Sequence, residues 1–199
     1  MSLGNFYNPF LTSTPPPQPG RTLLTGFPPP RKRKVFVSYH HGGDQAYYNA
    51  FSRHFSATYD VIQDNSLRDS INSDNVEYIM RKIREDYITG SSCTFVLCGK
   101  ESRWRKYIDW EIKATLDANH GLIGVLLPTN PVSNNACHKP DRFQDNLDSG
   151  YATWLTWSTI IENTSGLPQL IEAATGKDKQ LIRNQRQMMS RNGTPPWLT

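Results

Sequence analysis

Three short apolar runs constrain this chain most: Val35-Phe36-Val37-Ser38-Tyr39, Cys93-Thr94-Phe95-Val96-Leu97-Cys98 and Gly121-Leu122-Ile123-Gly124-Val125-Leu126-Leu127. Each is nearly unbroken by polar residues and too short for a buried helix, so each reads as a strand covered on both faces. Segments of helical period lie between them. Tyr47, Tyr48, Phe51 and Phe55 recur at helical spacing behind Asp44, a candidate N-cap. Val76, Ile79, Met80, Ile83 and Tyr87 form a second apolar stripe, opened by the capping-box-like pair Asp74 and Glu77 and closed by Gly90. A third helix is expected over 105–119. Tyr59–Gln63 reads as a shorter strand and 151–160 as a last edge strand. The stretch 129–150 is polar and without period, and 170–174 and 178–189 read as terminal helical pieces. Strands alternating with helices predict an α/β, three-layer domain with a parallel sheet and helices on both faces. Ligands of such sheets bind beyond the carboxyl ends of the strands. That puts the loops 39–44, 64–73 and 99–104, and the loop after Pro128, at the functional edge.

The chain of 199 residues is expected to hold one domain, over 34–190, between a Pro-rich tail at 1–33 and a short C-terminal tail at 191–199. Pro15-Pro16-Pro17 and Pro28-Pro29-Pro30 cannot enter a sheet or helix interior and favour extended polyproline II. Hydrophobic residues make up 37% of the chain, enough for a core. No run approaches the roughly 18 apolar residues of a membrane helix, and the polar N-terminus does not resemble a signal peptide. The net charge of +4 is concentrated in Arg31–Lys34, which reads as a solvated junction; the rest of the chain has no basic stripe to suggest nucleic acid. The three cysteines fit a reducing compartment better than a disulfide framework, so a cytoplasmic location is expected. Cys93 and Cys98, five positions apart on a strand, should point to opposite faces. His40-His41 lacks a third ligand at a recognisable spacing, so no metal is expected.

The helix over 105–119 carries an acid in an unexpected place. At about 100° per residue from Ile108, Lys106, Asp109, Lys113 and Asp117 fall between about 100° and 180°, an ordinary solvent face, and Trp110 falls beside them at about 200°. Tyr107, Ile112, Ala114, Thr115, Leu116 and Ala118 span the opposite arc. Glu111, at about 300°, lies inside that apolar arc. A carboxylate there is at the boundary, paired with a cation such as Arg103 or Arg105, or functional, because burial without a partner costs several kcal/mol.

Several of these segments have a familial likeness. Val35-Phe36-Val37-Ser38-Tyr39 followed by Asp44 resembles the first strand and loop of Toll/interleukin-1-receptor (TIR) domains. Ser102-Arg103-Trp104 followed by Asp109-Trp110-Glu111-Ile112 resembles the TIR segment with the catalytic glutamate. Pro140-Asp141-Arg142-Phe143 and Ser149-Gly150-Tyr151-Ala152, then Trp154 and Trp157, are similar to the bacterial TIR-like branch, and to the TIR-like sensors of the Thoeris antiphage system in particular. The likeness spans 34–157. It implies a flavodoxin-like fold and, in active members, cleavage of NAD at the nicotinamide–ribose bond, with NAD as substrate rather than cofactor. Some members cyclise the ADP-ribose product. The family's glutamate matches Glu111, expected to hold the ribose hydroxyls and stabilise an oxocarbenium-like transition state. The resemblance also offers Ser38, Tyr39, His40, Asp69, Arg103 and Trp104 as substrate contacts, and implies self-association or a trigger protein. The 64–73 loop lacks the apolar, Pro-containing stretch of animal TIR adaptors.

Other α/β readings fit less well. A response-regulator receiver needs adjacent acids after the first strand, where this chain has His40-His41, and an aspartate ending the third, where it has Cys98-Gly99. Gly42-Gly43 is no dinucleotide fingerprint, and neither a P-loop nor a nucleophile elbow is present. The rival to an enzyme is a TIR-like interaction module, with Trp104, Trp110 and Trp157 at an interface.

Overall fold

The computed structural model describes residues 33–63, 75–133 and 136–198. The Pro-rich tail, the 64–73 loop with Asp69, and Asp74 lie outside the described residues. The strands are β1 (Arg33–Ser38), β2 (Tyr59–Gln63), β3 (Ser91–Cys98), β4 (Gly121–Leu126) and β5 (Thr153–Thr156). They form one parallel sheet in the order β2-β1-β3-β4-β5, the flavodoxin-like order. The helices are α1 (His41–Phe55), α2 (Val76–Lys82), α3 (Lys106–Asp117), α4 (Asp141–Asp148), α5 (Trp157–Glu162) and α6 (Leu167–Thr175). A π-helical turn, Ile83–Ile88, continues α2 and ends before Gly90, whose φ of +86° suits a residue without a side chain. A short hairpin pairs Val132–Ser133 with Ala136–Cys137.

Side-chain alternation along the strands builds two cores. Val35, Val37, Cys93, Phe95 and Leu97 pack with Tyr48, Phe51, Ile160 and Ile171 of α1, α5 and α6. On the other face Phe36 packs with Ile79, Ile83 and Trp110, while Val96 and Cys98 meet Ile108, Ile112 and Phe143 of α3 and α4. The domain is therefore three-layered with helices on both faces, and Cys93 and Cys98 do point to opposite sides. No described helix is long and apolar enough to cross a membrane.

Several local expectations are corrected. Asp44 is not an N-cap: α1 begins at His41, and Asp44 lies in its first turn with its carboxylate turned into the protein. The cap of α2 is Asn75, whose side chain accepts from the Tyr78 amide at 3.1 Å. The aperiodic stretch contains α4, missed because its buried face is largely polar: Arg142, Phe143 and Asn146. The edge strand stops at Thr156, whose hydroxyl caps α5. The segment 178–189 is not helical beyond the short 3-10 turn Lys179–Leu181. Beyond that turn, Asn184, Arg186 and Met189 bond across to α3 and α4.

Candidate active site

Glu111 does face inward: it is 2% exposed, on α3, against the sheet. Two threonines fix its height. Thr94 of β3 and Thr115 of α3 meet hydroxyl to hydroxyl at 2.7 Å, and Thr115 also donates to the Glu111 carbonyl at 2.8 Å. Glu111 is one turn earlier on α3, about 6 Å along its axis. The helix runs back along β3, so that turn leads toward the carboxyl edge of the sheet. A step of two residues along β3, about 6.6 Å, leads from Thr94 to Val96. Val96 is paired with Ser38 of β1. Ser38 points to the same face as Phe36, which shares a core with Trp110 and Ala114 of α3. Glu111 and Ser38 thus occupy one level on one face of the sheet. Ser38 is fully buried, and its hydroxyl has no hydrogen-bond partner among the described residues.

The loops at this edge are tightly tied. Ser102 accepts from the Gly99 amide at 2.9 Å and donates to the Leu97 carbonyl at 3.1 Å. Asn130 bridges the Cys98, Gly99 and His138 carbonyls. The buried Asp44 carboxylate accepts from Thr129 at 2.9 Å. Burial raises its pKa above the ordinary value, while the Thr129 and Ser102 hydroxyls pull it back. Gly99 is required here, since a Cβ at that position would collide with the Asp44 carboxylate.

The remaining sequence candidates separate around this centre. Tyr39 ends on the opposite face of the sheet, its ring stacked on Tyr48 with centroids 4.7 Å apart, and its hydroxyl donates to Gln45 at 2.9 Å. His40 pairs with Glu101, Nε2 to Oε2 at 3.5 Å, and Glu101 also pairs with Arg105. Arg103 pairs with Asp141 at 3.1 Å. Trp104 packs edge-on to Trp197 and against His138. Arg103 and Trp104 line a cleft of about 600 Å³ with Asp109, Asp141 and Arg186, on the flank of α3 that meets α4. Among the described residues, no three His, Cys, Asp or Glu side chains come together as a metal site.

The expected solvent face of α3 is covered at Asp109 and Trp110, while Asp117 stays exposed. Asp109 is 4% and Trp110 2% exposed. Arg142 of α4, fully buried, donates to Asp109 through Nε at 2.8 Å, and the Trp110 indole donates to the Met189 carbonyl at 2.8 Å. Sequence periodicity missed this because the covering residues come from 139–193, a region without apolar repeat. The only advance signal was the motif Pro140-Asp141-Arg142-Phe143.

A buried carboxylate level with a buried hydroxyl, near the carboxyl edge of a parallel sheet, can stabilise developing positive charge and accept hydrogen bonds from a ligand's hydroxyl groups. Comparison with known proteins gives one family: the model described as Thoeris protein ThsB, TIR-like domain, matches residues 36–131. No curated protein matches the chain.

Proposed function

We propose that this protein, whose residues 36–131 match the model of the Thoeris ThsB TIR-like domain, cleaves NAD at its nicotinamide–ribose bond as a signalling step in antiphage defence. The observation that carries the reading is Glu111, buried on the sheet side of α3 at the level of Ser38. In the reaction the bond from the ribosyl C1′ to the nicotinamide nitrogen breaks, and its electron pair leaves with nicotinamide. The departing ring is cationic in NAD and becomes neutral, so no general acid is needed. Positive charge passes to C1′ and the ring oxygen, where the Glu111 carboxylate stabilises it and orients the ribose hydroxyls. Water attacking C1′ gives ADP-ribose and releases a proton. A nucleophile from the same molecule gives a cyclic isomer, the form suited to a second messenger. Ser38 is assigned to the ribose side of the site. Activity is expected to require a trigger or self-association.

The interaction-module reading loses one of its three aromatics, since Trp110 is buried. The deciding experiment is product analysis after incubation with NAD, at high protein concentration and with infected-cell extract as trigger. Wild type is expected to release nicotinamide. Glu111→Gln should lower release by at least about a hundredfold, the scale of losing a charge-stabilising group, with an unchanged melting temperature. Equal release by both proteins overturns the reading.

A further inference from the structure

The helix α3 is bound along its length by residues 184–193, a segment without helix or strand. At the amino end, the Asn192 side-chain oxygen accepts from the Lys106 amide at 3.0 Å, and the Gly193 amide donates to the Trp104 carbonyl at 2.9 Å. In the middle, the Met189 amide donates to Asp109 at 3.0 Å and its carbonyl accepts from Trp110 at 2.8 Å. Toward the carboxyl end, Asn184 donates to the Lys113 carbonyl at 3.2 Å and to Asp117 at 2.8 Å. Arg142 ties this segment to the helix: its guanidinium contacts Asp109, Asn184 and the Arg186 carbonyl together.

The Lys106 bond is an unusual cap. Local residues normally satisfy the free amides of a first helical turn. Here Arg105, the residue at the cap position, makes no side-chain cap bond, and the acceptor comes from 86 positions further along the chain. Lys106 is five residues before Glu111, about 7.5 Å along the axis. Asp109 and Trp110, the two residues before Glu111, are both held by Met189. The segment therefore holds the helix at its amino end and at the two residues that precede the carboxylate.

We propose that residues 184–193 form a strap that sets the position of α3, and through it the Glu111 carboxylate, with Asn192 as a positioning residue. This rests on Glu111 acting on NAD, as proposed above. Asn192 is exposed and bonds the amide at the amino end of the helix, so its loss should displace the carboxylate without altering the residues that meet substrate. An ångström-scale displacement of a reacting group reduces turnover far more than binding.

The test compares wild type, Asn192→Ala and Asn192→Asp in the full chain. Aspartate keeps an acceptor for the Lys106 amide and alanine does not. Asn192→Ala should lower kcat by about tenfold or more with KM within about twofold, and Asn192→Asp should recover to within about threefold of wild type. In parallel, the side-chain carboxyl carbon of Glu111 is followed by 13C NMR. Its resonance should move in Asn192→Ala and stay in Asn192→Asp. Undiminished turnover in Asn192→Ala, no recovery in Asn192→Asp, or an unmoved Glu111 resonance in Asn192→Ala each overturns the strap proposal. If wild type releases no nicotinamide, the enzyme reading fails alone, and the carbon resonance still decides the positioning claim.

Discussion

Trp110 and Met189, 79 positions apart, are joined by a 2.8 Å hydrogen bond from the indole N–H to the backbone carbonyl. That bond changes the character of a whole helix face. The indole is 2% exposed, and Met188 packs onto the same cluster of side chains. Replacing Trp110 by phenylalanine keeps most of the buried ring but leaves the Met189 carbonyl without its donor. The expected cost is about 1–2 kcal/mol in urea unfolding, within the range of a lost buried hydrogen bond. A variant as stable as wild type would mean that water serves the carbonyl equally well.

Arg142 should be the least replaceable charged residue among those described. Its guanidinium has five N–H donors, and the acceptors around it are both Asp109 oxygens, the Asn184 side chain and carbonyl, and the Arg186 carbonyl. Arg142→Ala removes the charged partner of the buried Asp109, leaving it the Met189 amide, and should cost about 3–5 kcal/mol. Lysine carries the charge but not the planar fork, so Arg142→Lys should recover less than half of that loss. Chemical denaturation of the three proteins checks the order, and full recovery by lysine would contradict it.

Gly99 and Asp44 should behave as a coupled pair. A methyl group on Gly99 meets the Asp44 carboxylate head-on, against a strand end that cannot swing away. Gly99→Ala should cost about 1–3 kcal/mol, the usual range for overpacking a tight site. In an Asp44→Ala background the same substitution should cost clearly less. A double-mutant cycle measures the coupling, and additive effects would show that the clash is relieved elsewhere.

Asp44 also predicts a pH dependence of stability. Burial raises its pKa in the folded protein above the ordinary 3.8, against the opposing pull of Thr129 and Ser102. The folded chain then holds a proton that the unfolded chain has released. Its contribution to stability is complete below the ordinary value and is lost as pH rises through the raised one. Asp44→Asn removes that titration. The unfolding free energy of wild type should therefore fall more steeply than that of the variant on going from about pH 4 to pH 7. Parallel profiles would remove Asp44 as the source.

Much of the fold was legible because its signals are local. Val35-Phe36-Val37, Phe95-Val96-Leu97 and Ile123-Gly124-Val125 are short and apolar, and all three became central strands. Tyr48, Phe51 and Phe55 share one helix face and became one side of a core. Glu111 could be singled out from angular position alone, since a helix has one phase and an acid out of phase stands out. Phase alone could not say what would cover the other side. Asp109 and Trp110 read as solvent-facing because the residues that bury them, Arg142 and Met189, belong to stretches with no apolar period. The α4 helix was hidden for the same reason, as its inner face is built around an arginine and an asparagine.

Sequence by itself determined the parallel α/β plan, the inward turn of Glu111 and the familial likeness, because each depends on residue types at short spacing. Only the tertiary structure decided that Ser38 shares the level of Glu111, that Tyr39 turns to the other side of the sheet, and that the back of α3 is strapped rather than exposed. Those facts depend on strand register, on the Thr94–Thr115 contact and on hydrogen bonds that join side chains to distant backbone groups. Hydrogen-bonding groups are present on every residue and carry no local pattern, so their pairing is settled only when the chain closes on itself.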